Sequence, residues 1–276
     1  MYAFDLYQFD DFFQTGGAMK ANDLATMYVH AGASVDAQRY ARDRVVVNDE
    51  RLPFTVRVVR TDAQLRKAVA IRQAAYARHV PALAETLREP EPNDYDEDSL
   101  VFLAESRMDG SPVGTMRIQT NRRRPIAIER SVALPPWLQN TRMAEATRLG
   151  IAEGGAGRVV KSVLCKAFYL YSLAAKIEWM VIAARPPLDR PYEAALFKDV
   201  FPGELIALRH AGNIPHRVLA FEVGTAAERW AAVNHPLSKF MVHTRHPDID
   251  LGNVGVPAWS GPVRAAEVRE EALAGA

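Results

Sequence analysis

Residues 143–184 constrain the fold most, because a strand, a glycine-rich turn, a helix and a second strand follow one another there. The stretch MAEATRLGIA alternates as a strand does and is ended by Gly154 and Gly155. The segment from Arg158 to Lys176 then carries an apolar stripe at helical spacing, and WMVIAA behind it is typical of a buried strand. This succession predicts an α/β domain.

The flanking segments extend the same domain. FTVRVV is a strand pattern, Thr61 is a candidate N-cap for a helix running to about Val80, and LVFLAES and PVGTMRIQT form a hairpin around the turn MDGSP. Later segments predict a helix near Tyr192 to Val200 and strands in GELIALRH and HRVLAFEV. We therefore expect one main domain over residues 53–224. A partly flexible appendage (1–52) precedes it, and a wrapping tail (225–276) ends in a short helix near 263–273.

The composition excludes several classes of protein. With 34 Lys and Arg against 33 Asp and Glu, the chain lacks the cationic excess of nucleic-acid-binding proteins, so no nucleic-acid partner is expected. One cysteine, Cys165, permits no disulfide within the chain and is typical of a buried apolar residue. The histidines lack metal-ligand spacing. No apolar run spans a bilayer and no secretory signal begins the chain, so we expect a cytoplasmic protein without a bound metal. The aromatic residues 1–18 leave peripheral membrane contact open.

Charged residues interrupt the predicted core elements. Arg72 falls on the apolar face of the first helix, where it needs either a carboxylate partner or a ligand. Arg117 lies inside the second hairpin strand. In MAEATRLGIA, alternation puts Glu145 on one face of the strand and Arg148 on the other. Because buried charges rarely serve stability, this pattern favours a functional site.

Four motifs resemble one family. They are Ile71–Tyr76, the acidic run Asp94–Asp98, Val113–Ile118 and Glu145–Leu149. In this order over residues 54–224, they resemble the acyl-carrier-dependent branch of the Gcn5-related N-acetyltransferase (GNAT) superfamily. That branch comprises acyl-homoserine lactone synthases and FeeM-like N-acyl amino acid synthases. The resemblance implies a mixed, mostly antiparallel central sheet flanked by helices.

The resemblance also implies a reaction. An acyl group would pass from an acyl carrier protein thioester to the amine of an amino acid, with Glu145 as the base and no permanently bound cofactor. The phosphopantetheine of the carrier, or acyl-CoA, would be the donor. The resemblance assigns catalysis to Glu145, Arg117, Arg148 and Thr147. We expect substrate binding by Arg72, Tyr76, Asp94, Asp96, Asp98 and Phe168. The glycine-rich turn predicts phosphopantetheine binding by Gly155, Gly157, Arg158 and Lys161.

Several alternatives remain open from the sequence. Homoserine lactone synthases carry a tryptophan soon after the first-helix motif, and Ala77–Pro81 has none, which favours the amino acid synthase. The rivals are the lactone synthase, a CoA-dependent acetyltransferase and a non-catalytic lipid-binding module. The last would gain support if Glu145 and Arg148 formed a sealed ion pair. Arg122, Arg123 and Arg124, with Arg158 and Lys161, are a candidate basic rim for the acidic carrier.

Overall fold

The computed structural model describes residues 48–154 and 157–252. Its strands are β1 (Asn48–Asp49), β2 (Phe54–Val58), β3 (Ser99–Ser106), β4 (Pro112–Thr120), β5 (Met143–Ile151), β6 (Trp179–Ala184), β7 (Lys198–Asp199), β8 (Ile206–Leu208), β9 (Ile214–Glu222), β10 (Thr244–Arg245) and β11 (Ile249–Asp250). Its α-helices are α1 (Asp62–Ala77), α2 (Pro81–Glu85), α3 (Gly157–Ala174), α4 (Arg190–Ala194) and α5 (Ala226–Ala232). Shorter helical turns are Pro92–Asp94, Arg209–Ala211 and Lys239–His243.

The main sheet runs in the order β11-β2-β3-β4-β5-β6-β9-β7, with β8 also paired to β9. Strands β2 to β5 are antiparallel, as are β6 and β9, whereas β5 and β6 are parallel. The parallel pair is joined by α3, as a crossover between parallel strands requires. The predicted mixed, mostly antiparallel sheet flanked by helices is confirmed.

The chain forms most of these elements where its pattern predicts them. Helix α1 begins after Thr61, whose hydroxyl accepts from the Gln64 N–H while the Gln64 side chain accepts from the Thr61 N–H. This capping box satisfies backbone donors that a helix start leaves unpaired. One helix prediction is wrong. The segment 192–200 holds only the end of α4, after which Lys198 and Asp199 pair with β9 at the sheet edge.

Two helices cover opposite faces of the sheet. Helix α3 buries Val160, Val163 and Leu164 in the large core that β2 to β6 share. Helix α1 packs Leu65 and Ala68 against the other face. Its backbone also lies close to β5, since a Cβ added at Gly150 would be 2.9 Å from the Arg72 Cα.

A β-bulge interrupts β5. Thr115 pairs with Gly150 and Arg117 with Thr147, so Arg148 and Leu149 together oppose the single residue between them on β4. Arg148 adopts a positive φ of 55°. The extra residue breaks the alternation of faces. The prediction that Glu145 and Arg148 face opposite sides is therefore wrong, because the bulge turns the Arg148 side chain to the α1 face, where Glu145 also lies.

The chain after β9 returns to the far edge of the sheet. Strand β11 pairs with β2, and β10 pairs with β1. The buried Lys166 ammonium of α3 donates to the carbonyls of Phe240 and Thr244. Within residues 48–154 and 157–252, no helix is long and apolar enough to cross a membrane. The aromatic segment 1–18 and the helix expected at 263–273 lie outside the described residues.

Candidate active site

A cleft of about 320 Å³ opens where β5 and β6 separate. The two strands pair from Met143 to Ala146 on β5, and their pairing ends there. Beyond that point, residues of both strands line the cleft, together with residues from the end of α1, from α3 and from the turn after β8. The cleft therefore lies in a gap within the sheet itself. After Ala146 the backbone N–H and C=O groups of β5 on this side lack strand partners, and the Ile151 C=O accepts from Arg78 at 2.7 Å. The other groups can bind an extended ligand.

Three buried arginines and two carboxylates form an ion-pair network beside the cleft. Arg72 binds both oxygens of Asp94 at 2.8 and 2.9 Å. Arg117 bridges Glu91 at 2.9 Å and Asp94 at 3.2 Å. Arg148 makes a bidentate pair with Glu91 at 2.6 and 2.7 Å. The arginines hold the pKa values of both carboxyls below their usual range, although burial opposes this. The network fixes the loop 86–98 to α1 and β5.

Glu91 is a residue that sequence reasoning missed. Its carboxylate contacts all three arginines, and its backbone N–H donates to Asp94 at 2.8 Å. The sequence showed three arginines in core positions and an acidic loop of unknown pairing. Each buried arginine needs a carboxylate partner. Counting the acidic residues just before the run 94–98 as candidate partners would have included Glu91.

Glu145 is buried beneath the cleft. One carboxylate oxygen accepts from the Ile128 N–H at 3.1 Å, and the other lies 3.4 Å from His210 Nε2. Its side chain is 0% exposed, and this burial raises its pKa to about 7, against the opposing effect of the backbone N–H groups of Ile128 and Ala127. A carboxyl with such a pKa exchanges protons near neutral pH, as a general base must.

The cleft wall joins Glu145 to the ion-pair network. Thr147 and Arg148 line the cleft, and the Thr147 hydroxyl accepts from Arg117 Nε at 3.2 Å. Tyr76 lines it from α1 and interacts with Arg148. Arg148 is paired with Glu91 and not with Glu145, so the sealed pair that would favour a non-catalytic module does not form.

Some expected substrate-binding residues lie elsewhere. Arg72 and Asp94 are paired with each other in the buried network. Asp96 pairs with Arg124 at 2.8 Å, and the buried Asp98 faces the same arginine-rich loop, beside the far end of β4. Phe168 is 2% exposed in the main core, where an apolar stripe on a helix ordinarily packs. None of these five residues lines the cleft, so they lie away from a substrate bound there.

The predicted carrier-binding residues are partly brought together. Gly157 begins α3, Lys161 one turn later lines the cleft, and Arg158 is exposed beside them. Gly155 lies outside the described residues. The expected single basic rim is not formed. Arg122 to Arg124 follow the end of β4 that pairs with the start of β5, whereas α3 begins beyond the other end of β5. The three arginines instead pair with the acidic run, Arg123 with Glu97 among them.

Two further features concern ligands. Among the described residues, no group of three or more His, Cys, Asp and Glu side chains is arranged to hold a metal ion.

Arg185, which follows β6 and lines the cleft, has no carboxylate partner in the described part of the chain. It lies near His216, whose pKa is lowered chiefly by burial and further by this arginine. Sequence reasoning missed Arg185 because the prolines after it indicated only a loop.

Comparison with solved structures identifies the fold. The N-acyl amino acid synthase FeeM, from uncultured soil microbes, is similar over 68% of this chain and 97% of its own, with 18% identity and a TM-score of 0.51. BjaI, a CoA-dependent acyl-homoserine lactone synthase, aligns over 72% of this chain and 95% of its own, with 14% identity and a TM-score of 0.46. No family model and no curated protein matches the sequence. The chain has a GNAT-like fold.

Proposed function

We propose that this chain is an N-acyltransferase, which moves a long-chain acyl group from the thioester of an acyl carrier protein to the amine of an amino acid. The observation that carries the proposal is the cleft between β5 and β6, with the buried Glu145 carboxyl beside it. Amide formation from a thioester needs a neutral amine, a proton acceptor and a site that excludes water. The likeness of fold to an N-acyl amino acid synthase is consistent with this reaction.

The donor would bind between the separated strands. The unpaired backbone of β5 after Ala146 offers hydrogen bonds to the amides of a phosphopantetheine arm. Gly157, Arg158 and Lys161 stand where a helix N-terminus and two cations would meet its phosphate. Cleft residues Leu149 and Ile182 are apolar and suit the acyl chain. The carrier would dock at this end of the sheet, near the exposed Arg158.

The acceptor would bind on the α1 side of the sheet. Ala183 of β6 packs on that side. Arg185 comes two residues later, so strand alternation places it on the same side, where it lines the cleft. Arg72 and Arg117 are occupied by carboxylates of the protein, so Arg185 is our candidate for binding the carboxylate of the amino acid. We expect these reactants in the cytoplasm, where acyl carrier proteins supply fatty acyl groups.

The roles of the remaining cleft residues follow from their contacts. Glu145 would take up the proton that the amine loses. Arg148 and Thr147 would hold the β5 backbone in its bulged form through Glu91 and Arg117. Their part in the reaction is to position the cleft wall, since their polar atoms are already bonded to the protein.

A comparison of substrates tests the proposal. The purified chain is given acyl carrier protein and CoA loaded with the same acyl group, each with amino acids or with S-adenosylmethionine. We expect N-acyl amino acids and faster turnover of the carrier-bound donor. Product from S-adenosylmethionine alone would indicate a homoserine lactone synthase, and transfer from acetyl-CoA alone an acetyltransferase. Binding of acyl groups without turnover of any acceptor would contradict the proposal.

A further inference from the structure

Glu145 cannot contact an amine in the cleft directly. Its side chain is 0% exposed, and it does not line the cleft. If it is to receive a proton from a bound acceptor, another group must carry that proton across the cleft wall. The residues around it therefore decide how the proposed reaction loses its proton.

His210 occupies the required position. It lies in the helical turn Arg209–Ala211 between β8 and β9, lines the cleft and has a side chain 18% exposed. Its Nε2 is 3.4 Å from Glu145 Oε1, which has no hydrogen-bond partner among the described residues. Its Nδ1 is buried and has no partner. An imidazole that lines the cleft and turns Nε2 toward a carboxylate can accept a proton from a bound amine and pass it on.

The surroundings of His210 keep its ring neutral. Burial is the main cause that lowers its pKa to about 4, and Arg148, His216, Arg117 and Arg130 contribute to this lowering. These charged and titratable groups come from β5, from β4, from β9 and from the loop before β5. Because Glu145 has a raised pKa, a proton that enters through His210 comes to rest on Glu145.

We propose that His210 is a catalytic residue, which takes the proton from the attacking amine and relays a proton to Glu145. The inference rests on the proposed function. The amine nitrogen bonds to the thioester carbonyl carbon, and its proton moves to His210 Nε2 and from there to the Glu145 carboxylate. The tetrahedral intermediate then expels the thiolate, breaking the C–S bond. The proton returns from Glu145 through His210 to the sulfur, so that an amide and a thiol leave and both side chains are restored.

A double-mutant cycle tests the relay. We expect His210→Gln to lower kcat by about 100-fold or more, the usual contribution of general acid–base catalysis, with little change in KM for either substrate. Glu145→Gln should cause a similar loss, and the double variant should lose little more than either, because residues that act as a unit are non-additive. His243→Gln, which removes a histidine far from the cleft, is the matched control.

Two further readouts separate chemistry from folding. Added imidazole should restore part of the activity of His210→Ala and none of that of Glu145→Gln, and the acidic limb of the kcat pH profile should change in His210→Gln. A His210→Gln variant within threefold of wild-type kcat, or additive losses in the cycle, would overturn the relay. If the wild-type protein makes amide and either of these results is obtained, the relay is wrong and the proposed function stands. If wild type makes no amide from any amine, the proposed function fails with it.

Discussion

Replacing Glu145 by glutamine should change how the stability of the protein depends on pH. In the folded chain burial raises the pKa of Glu145 to about 7, whereas a glutamate in the unfolded chain has its ordinary value of 4.5. Between these values the folded state holds a proton that the unfolded state has lost, so the free energy of unfolding falls as pH rises. Glutamine keeps an oxygen that can accept from the Ile128 N–H and has no proton to lose.

The size of the effect follows from the two pKa values. Each pH unit between 4.5 and about 7 lowers wild-type stability by about 1.4 kcal/mol, which gives roughly 3 kcal/mol by pH 8. Relative to wild type, Glu145→Gln should therefore gain roughly 3 kcal/mol between pH 4.5 and pH 8. For a chain of this size that corresponds to about 6–12 °C in Tm.

Urea unfolding of both proteins at half-unit pH intervals measures this difference. Other buried groups, such as His246 and Lys166 with their lowered pKa values, also titrate, but they are common to both proteins and cancel in the difference. Glu91→Gln is the control. The pKa of Glu91 is lowered, so that variant should be less stable than wild type by an amount that stays constant from pH 5 to 8. A difference for Glu145→Gln that also stays constant would show that the pKa of Glu145 is not raised in the folded protein.

Substitutions at the cleft, in the ion-pair network and between β5 and α1 perturb three separate contacts. In steady-state assays, Arg185→Gln should raise KM for the amino acid by roughly 10- to 100-fold and leave turnover of a carboxylate-free alkylamine unchanged. Equal losses with both acceptors would contradict the proposed binding of the amino acid carboxylate by Arg185. Asp94→Asn, which leaves three buried arginines with one carboxylate, should lower the free energy of unfolding by about 3–5 kcal/mol in urea, and a loss below 1 kcal/mol would contradict it. Gly150→Ala should cost about 1–3 kcal/mol because its Cβ would meet the α1 backbone, whereas Gly224→Ala, with open space around it, should be nearly neutral; equal thermal shifts would contradict the packing.

The sequence predicted much of the fold because local periodicity determines most of these elements. The segment WMVIAA became β6 without a change of boundary, and the Thr61 capping signal marked the start of α1. The prediction for 192–200 failed because Lys198 and Asp199 gain their hydrogen bonds from β9, a partner distant in sequence. Tertiary pairing of this kind leaves no local pattern.

The candidate site was predicted in its residue types more than in its geometry. Glu145, Arg148 and Arg117 stood out as charges in core positions, and all three are buried. Arg117 and Arg148 share Glu91 as a partner, and the charge of Arg117 acts on the Glu145 carboxyl. Strand alternation alone could not foresee the bulge at Arg148, because one inserted residue reverses every later face. Glu91 and His210 were missed for a similar reason. Each comes from a loop, and only the folded chain brings it to β5.

Formation of an amide by the purified chain is the decisive measurement for the proposed N-acyltransferase activity. The protein is incubated with a long-chain acyl carrier protein and an equimolar mixture of amino acids, and the products are identified by mass spectrometry over time. We expect N-acyl amino acids to accumulate with wild type and to fall by about 100-fold or more with Glu145→Gln. Equal accumulation with both proteins, or no amide from wild type with any carrier-bound acyl group, would contradict this expectation.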